Sequence, residues 1–481
     1  MKKHFNPLWY LAVGVILLAG SHMSYAVDIL AWVSLVPFLL YLHKTSGFKS
    51  KLWFFLTIFI GWSMSVGKII TDPLSFYFIP LFSIPVSLFH FAGYWLWSGF
   101  RERKLAWLLF PSVMVVVEWL QYTFTPFASW GAMAYSQVDN TLLTQSVSLF
   151  GLAGLSFLIY LFNVVIATGL IQNRINRVQW VVSFTALLGF LLYGSFRYDF
   201  FNAKSHELVK VAAVGTDSMV GGLPLPTDEE RKEDIHKLVQ RTRQAAKSSP
   251  QLIVWNEASL VILPEEEPAW KDSLSVLARE VNAVLVASYV VPHLGENFQF
   301  ENKFLLYEPD GRLITEYYKE EPTPGEPSVK KENILGYGQI GNALVGGAIC
   351  YDFDFPHMGR KTSPANIVAL PSSDWRGIDP LHTKMAAFRA IEQGNSIVRS
   401  TRWGLSAAIN PLGEFTARMS SFDHNDKIMI GFLPVGKMFT IYSHIGDLFV
   451  MVCIGFVLFE IIKGRISKEN IQEEPGGQNP V

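Results

Sequence analysis

The chain has 481 residues, of which 50% are apolar and only 17% charged, and its net charge is −1. No sizeable basic face is left to neutralise phosphates, which argues against a nucleic-acid partner. The apolar excess is concentrated in the first two hundred residues and in one stretch near the end, the pattern of a membrane protein carrying a water-soluble insert.

Seven apolar segments precede the insert, at residues 8–23, 27–43, 52–70, 76–99, 105–124, 146–171 and 178–196, and an eighth covers 440–462. Several approach the roughly 20 residues needed to cross the hydrocarbon layer. Lys2-Lys3 before the first segment and Ser24-Tyr25-Ala26 after it resemble a signal peptide. A retained helix is the preferred reading, because another apolar segment follows at once. The basic residues fall in alternate connections: Lys2 and Lys3; Lys44, Lys49 and Lys51; Arg101, Arg103 and Lys104; Arg174 and Arg177; Lys463, Arg465 and Lys468. Lys68 is the exception among the intervening loops. The positive-inside rule then puts both termini in the cytoplasm and residues 200–438 on the extracytoplasmic side. Glu118 sits in the fifth segment as a candidate packing or functional carboxylate, and the uncharged aromatic loop 125–137 reads as an interfacial segment.

From Leu208 short β-rich runs alternate with helical stretches. Strands are predicted at 209–214, 252–255, 283–289, 304–307, 313–317, 366–370, 396–401 and 405–409. Helices are predicted at 228–248, 269–281 and 381–394, where Met385, Phe388 and Ile391 share one face. Pro309-Asp310-Gly311-Arg312 is a hairpin signal, residues 371–375 read as a loop, and the polar tail reads as disordered. The predicted architecture is thus a helical membrane region at 1–200, an α/β domain at 205–438, a last membrane helix at 440–463 and a cytoplasmic tail at 464–481.

Three apolar runs end in reactive residues. Residues 251–255 lead to Asn256-Glu257, 312–318 to Lys319, and 343–349 to Cys350, which is expected to emerge at a strand edge rather than be buried. Strand ends converge on one crevice, so a carboxylate, an ammonium and a thiol can meet there. Glu257 would be the base, Lys319 the electrostatic clamp and Cys350 the nucleophile. His382, Arg389 and Glu392 read as packing and ion-pair residues. No spacing suggests a metal or phosphate-binding loop, so no cofactor is expected. Cys453 lies in the terminal apolar stretch, so no intrachain disulfide is expected.

Trp255-Asn256-Glu257, Tyr317-Tyr318-Lys319, Ile349-Cys350-Tyr351-Asp352 and Phe388-Arg389-Ala390-Ile391-Glu392-Gln393-Gly394 resemble the nitrilase superfamily of carbon-nitrogen hydrolases. The loop ending Tyr135-Ser136-Gln137, the run 150–157 and the terminal helix narrow the resemblance to its membrane-embedded branch, the apolipoprotein N-acyltransferase family. The resemblance implies about eight membrane helices and an extracytoplasmic αββα sandwich in a bacterial inner membrane. It also implies a Glu-Lys-Cys triad that passes an acyl chain from a phospholipid, through a thioester, to the N-terminal amine of a diacylglyceryl-cysteine lipoprotein, the enzyme acting as a monomer. Glu326, Tyr351, Asp352 and Trp375 would support the triad, and Trp130, Met219, Val220 and Leu223 would line the lipid entrance. The sequence departs from the family pattern at Asn256 (usually Pro), Gln121 (Arg), Asp352 (Glu), in the shortened Thr323-Pro324-Gly325-Glu326, and in Ser372-Ser373-Asp374-Trp375-Arg376-Gly377. A membrane-anchored amidase of the same superfamily is the alternative, with water replacing the amine. A catalytically silent membrane partner would leave the trio unexplained.

Overall fold

The computed structural model describes residues 6–217, 222–295, 297–331, 333 and 335–472. Four of its helices are long and apolar enough to cross a membrane: Phe78–Ser98, Ala106–Phe124, Val147–Gln172 and Arg177–Asn202. Leu8–Ser21 is apolar but has only 14 residues, and Phe48–Gly67 has the length but carries Lys49 and Lys51 in its first turns. The segment read at 27–43 is not one helix. It splits into Asp28–Ala31 and Val36–Lys44, and the side chain of Asn163 fills the gap, donating to the Ala31 carbonyl and accepting from the Leu35 N–H, both at 2.8 Å. A neighbouring side chain thereby supplies what the broken backbone ladder lacks. The terminal helix runs Leu448–Gln472, past the expected boundary at 463.

The α/β part contains twelve strands: β1 (Leu208–Val214), β2 (Leu252–Trp255), β3 (Val284–His293), β4 (Gln299–Tyr307), β5 (Leu313–Tyr318), β6 (Gly338–Ile340), β7 (Ala343–Gly347), β8 (Ile367–Ser373), β9 (Ser396–Arg402), β10 (Leu405–Ile409), β11 (Phe415–Ser420) and β12 (Ile428–Pro434). They form two six-stranded sheets, ordered β12-β1-β2-β3-β4-β5 and β11-β10-β9-β8-β7-β6. Alternation along β1 shows the layering. Val209, Val211 and Ala213 enter the core shared by the two sheets, while Ala212 and Val214 pack outward with Leu238 and Leu274 of the Asp228–Ala246 and Glu267–Val281 helices. On the other sheet Val368, Leu370 and Ile397 pack against Ala386 and Ala390 of the Leu381–Gln393 helix. The result is the expected four-layer α-β-β-α stack.

Local chemistry fixes the ends of these elements. Thr227 and Glu230 form a reciprocal capping box at the start of Asp228–Ala246, and Gly394 ends Leu381–Gln393 in the left-handed conformation, φ +67°. The hairpin at 309–312 forms as predicted, with Gly311 at φ +83°. β6, β11 and β12 are strands that the sequence patterning did not single out, and β8 extends to Ser373, through most of the predicted loop.

Helical and α/β parts are joined by hydrogen bonds at close range. Ser24 donates to the Gly377 carbonyl at 2.6 Å, the Trp375 indole N–H donates to the Ile69 carbonyl at 2.6 Å, and Gln145 donates to the Leu412 carbonyl at 2.9 Å. Gly377 permits this approach: a Cβ there would lie 2.3 Å from the Ile69 oxygen. Gly377→Ala is therefore expected to lower stability by about 1–3 kcal/mol. Gly436→Ala, where a Cβ meets nothing within 4 Å, should have little effect; thermal unfolding of the two purified variants checks the pair.

Candidate active site

Cys350 follows β7 and opens a tight 3-10 turn, Cys350–Asp354, with φ +46°. A non-glycine residue held there costs about 1–3 kcal/mol and persists only when its surroundings impose it. Asp352 supplies much of that restraint. Its Oδ2 accepts from the Ile349 N–H at 2.9 Å and the Tyr317 hydroxyl at 2.8 Å, and its Oδ1 from the N–H groups of Glu320 (3.1 Å) and Glu321 (2.8 Å). One carboxylate thus ties the cysteine turn to the segment that carries Lys319.

The expectation that Cys350 is presented rather than buried is corrected: it is 4% exposed. The strand delivers it to the edge of the sheet, but helical residues cover that edge. Its Sγ lies 3.5 Å from the Ser373 carbonyl, at a cavity of about 120 Å³. Val66, Phe78, Phe82 and Val86 of the helical part line that cavity together with Trp130, Tyr351, Trp375 and His382.

Glu257 and Lys319 are buried beside it, and Glu326 is partly buried, its side chain 11% exposed. The Lys319 ammonium donates to Glu257 Oε1 at 2.8 Å and to Glu326 Oε2 at 2.6 Å, and Asn302 Nδ2 bridges the same carboxylates at 2.8 and 3.0 Å. Asn302 is a member of this cluster that sequence reading missed; as a polar residue inside β4 it carries no distinguishing spacing. Burial alone would depress the Lys319 ammonium, but Glu257 and Glu326 hold it well above its ordinary value. Burial pushes the Cys350 thiol up, Glu257 adds to the rise, and Lys319 opposes it. The geometry therefore offers a carboxylate to accept a proton and a fixed cation to stabilise negative charge in a dry pocket.

The loop at 126–137 is packed inward. The Trp130 indole donates to Asp354 Oδ2 at 2.7 Å, Ser129 Oγ donates to the Asp354 carbonyl at 2.5 Å, and the Tyr351 hydroxyl donates to the Pro126 carbonyl at 2.7 Å. From the Ala106–Phe124 helix, Glu118 accepts from the Met133 N–H at 2.8 Å, and Gln121 Nε2 donates to the carbonyls of Ala128 (3.1 Å) and Trp130 (2.7 Å). Leu223 is 63% exposed and stands apart from the cavity lining, while Met219 and Val220 lie outside the described residues.

His382, read as a packing or ion-pair residue, forms ion pairs and also lines the cavity. Its Nε2 lies 3.0 Å from Asp354 Oδ1 and its Nδ1 2.7 Å from Asp374 Oδ1. Arg389 and Glu392 form a buried ion pair at 2.7 Å, and Arg389 also donates to the Tyr135 hydroxyl at 2.8 Å. Cys350, Asp374 and His382 bring three metal-type donor atoms within 4.8 Å of one another. The Arg399 guanidinium lies 2.9 Å from both Asp374 Oδ1 and His382 Nδ1, and this fixed cation makes the cluster a poor host for a second one.

Residues 14–165 match the apolipoprotein N-acyltransferase N-terminal domain and residues 210–432 match the carbon-nitrogen hydrolase family. An apolipoprotein N-acyltransferase of Geobacter metallireducens is 25% identical over 91% of this chain and 91% of its own length. One from Rickettsia prowazekii is 23% identical over 79% of this chain and 81% of its own. A carbon-nitrogen hydrolase from Helicobacter pylori aligns with 48% of this chain and 90% of its own at 18% identity and a TM-score of 0.40. The chain thus carries both the membrane-domain and the hydrolase-domain matches, and it is similar over most of its length to apolipoprotein N-acyltransferases.

Proposed function

We propose that this enzyme transfers a fatty acyl chain from a phospholipid, through a thioester on Cys350, to the N-terminal amine of a diacylglyceryl-cysteine lipoprotein. The observation that carries the mechanism is the joint cavity. Side chains from membrane-type helices and the buried thiol line the same apolar space, so an acyl chain can reach sulfur without crossing water. Withdrawing a lipid chain from the bilayer costs about 0.8 kcal/mol per methylene, on the order of ten kcal/mol per chain, and a site built into the membrane's edge avoids that cost.

In the acylation step Glu257 takes the Sγ proton as sulfur attacks the ester carbonyl, and Lys319 with the backbone around Tyr351 holds the oxyanion. Collapse forms the thioester and expels the lysophospholipid alkoxide, which takes the proton from Glu257. In the second step the lipoprotein amine attacks the thioester carbonyl and Glu257 removes a proton from nitrogen. The amide leaves and the proton returns to sulfur. Glu326 and Asn302 keep Lys319 and Glu257 in place, Asp352 holds the cysteine turn, and Trp130 and Trp375 close the lipid side. The catalytic domain at 205–438 is read as extracytoplasmic and both termini as cytoplasmic, from the alternation of basic loops. About eight membrane-associated segments surround it, the enzyme works as a monomer, and no cofactor is invoked.

Intact mass spectrometry of the protein incubated with phospholipid vesicles should show a hydroxylamine-sensitive acyl adduct, absent in Cys350→Ala, that moves to the amine of a diacylated lipopeptide. An adduct lost to water with no acylated peptide would replace the transferase reading with an amidase-type hydrolase. Glu257→Gln can still accept from Lys319 and Asn302, so the fold should persist while adduct formation slows by about 10²–10⁴-fold; stopped-time mass spectra measure it. Burial alone would lower the His382 pKa, but Asp354 and Asp374 raise it to about 9 against the neighbouring Arg399. The protonated ring therefore contributes stability that is complete below about pH 6.5 and lost as the pH rises through about 9. Unfolding temperatures of the native enzyme should fall over that window, and His382→Gln should flatten the fall; an unchanged slope in the variant would remove His382 as its source.

A further inference from the structure

We propose that the enzyme holds one anionic phospholipid at the end of the helical part remote from Cys350, in a cleft between the 42–54 segment and the 91–102 segment. The cleft has a volume of about 370 Å³ and brings Lys51 and Arg101 together with Phe54, Phe91 and Trp95. Its position follows from the Phe48–Gly67 helix. Val66 near one end of this helix, and Ile69 just beyond it, line the cavity at Cys350, while Lys51 near the other end lines the cleft. The helix rises about 22 Å from Lys51 to Val66, most of one hydrocarbon thickness. A lipid in the cleft therefore sits in the opposite leaflet from the acyl donor and is not consumed by the reaction.

The chemistry of the lining selects the ligand. Among the described residues the Lys51 ammonium has no hydrogen-bond or carboxylate partner, and its contact is with the face of the Trp95 ring, 4.9 Å from the centroid. Arg101 is oriented by a 2.8 Å bond from Nη1 to the Leu42 carbonyl and a 3.4 Å contact from Nε to Glu102. Thr45, Ser50 and Ser98 already donate their hydroxyl protons to the carbonyls of Tyr41, Ser46 and Trp95, so the two cations carry the attraction for a phosphate. Below them Phe54 and Phe91 pack at 6.2 Å between ring centroids, and Trp95 is 56% exposed. These rings form an apolar wall on the lipid side for an acyl chain. A phosphate-sized anion over an unpaired ammonium, with a hydrocarbon chain running down aromatic faces, describes a phospholipid of net negative charge better than a zwitterionic one, whose headgroup cation would face Lys51.

The test is native mass spectrometry of the full chain in detergent with equimolar phosphatidylglycerol and phosphatidylcholine. One phosphatidylglycerol should be retained preferentially, and Lys51→Gln with Arg101→Gln should reduce that retention about ten- to thirtyfold. Equal retention of the two lipids, or retention unaltered by the substitutions, overturns the site; the latter result would place the lipid in the cavity at Cys350 instead. Should the double variant fail to fold, Lys51→Gln alone still decides, because among the described residues that ammonium contacts only the exposed Trp95 ring, and a retention equal to the native protein's overturns the proposal. The outcome does not depend on whether Cys350 transfers acyl groups, since no turnover is read.

Discussion

Lys319 is a buried cation held between two carboxylates that it cannot leave without stranding charge. Removing one partner of such a buried group costs about 3–5 kcal/mol, so Glu257, Glu326, Asn302 and Lys319 behave as one unit. That unit determines what the cysteine can do. A thiol in an apolar cavity resists ionisation, Glu257 adds to that resistance and the nearby Lys319 ammonium opposes it. A thiol raised and covered in this way presents little thiolate to oxidants and aqueous electrophiles.

Dryness at sulfur is the work of the helical part. Without the loop at 126–137 the sheet edge at Cys350 would open to solvent, and the loop is held from both sides. Glu118 and Gln121 grip it from the Ala106–Phe124 helix, and Asp354 grips it from the α/β domain through Trp130 and Ser129. His382 and Asp374 continue this chain of polar contacts to the segment bearing Ser373, whose carbonyl faces the thiol. A buried ionic chain of this kind is weak evidence for stability, since apolar residues of similar size can match it. It does fix geometry, here the position of the helical wall of the cavity relative to Cys350.

Much of this was legible in the sequence because it depends on local rules. Strand runs ending in Glu257, Lys319 and Cys350 follow from apolar runs and turn residues, and the hairpin at 309–312 follows from Pro309-Asp310-Gly311. The break at 32–35 was hidden because its cause is Asn163, more than a hundred residues away, replacing backbone hydrogen bonds. β12 was hidden because Phe432 is exposed in the middle of an apolar run, whereas β11, with Thr416 and Arg418 exposed between less exposed residues, alternates regularly and its pattern was legible but passed over. The burial of Cys350 was misjudged for a related reason. A strand end implies an edge, but no periodicity tells which distant loop will cover it.

Asn302 and His382 show the same limit in the site itself. Each is one polar residue among several in its element, and each acquires its place only from partners brought by other strands and loops. Departures from the family pattern become intelligible in the same way. Gln121 can donate two hydrogen bonds to the loop carbonyls without introducing a charge into the membrane helix. Asp352, one methylene shorter than glutamate, reaches four donors because the turn at Cys350 brings the Ile349 and Glu320–Glu321 backbone within about 3 Å of it. Lengthening that side chain would push one pair of donors away or rotate the turn, so the shorter acid and the tight placement of the cysteine depend on each other.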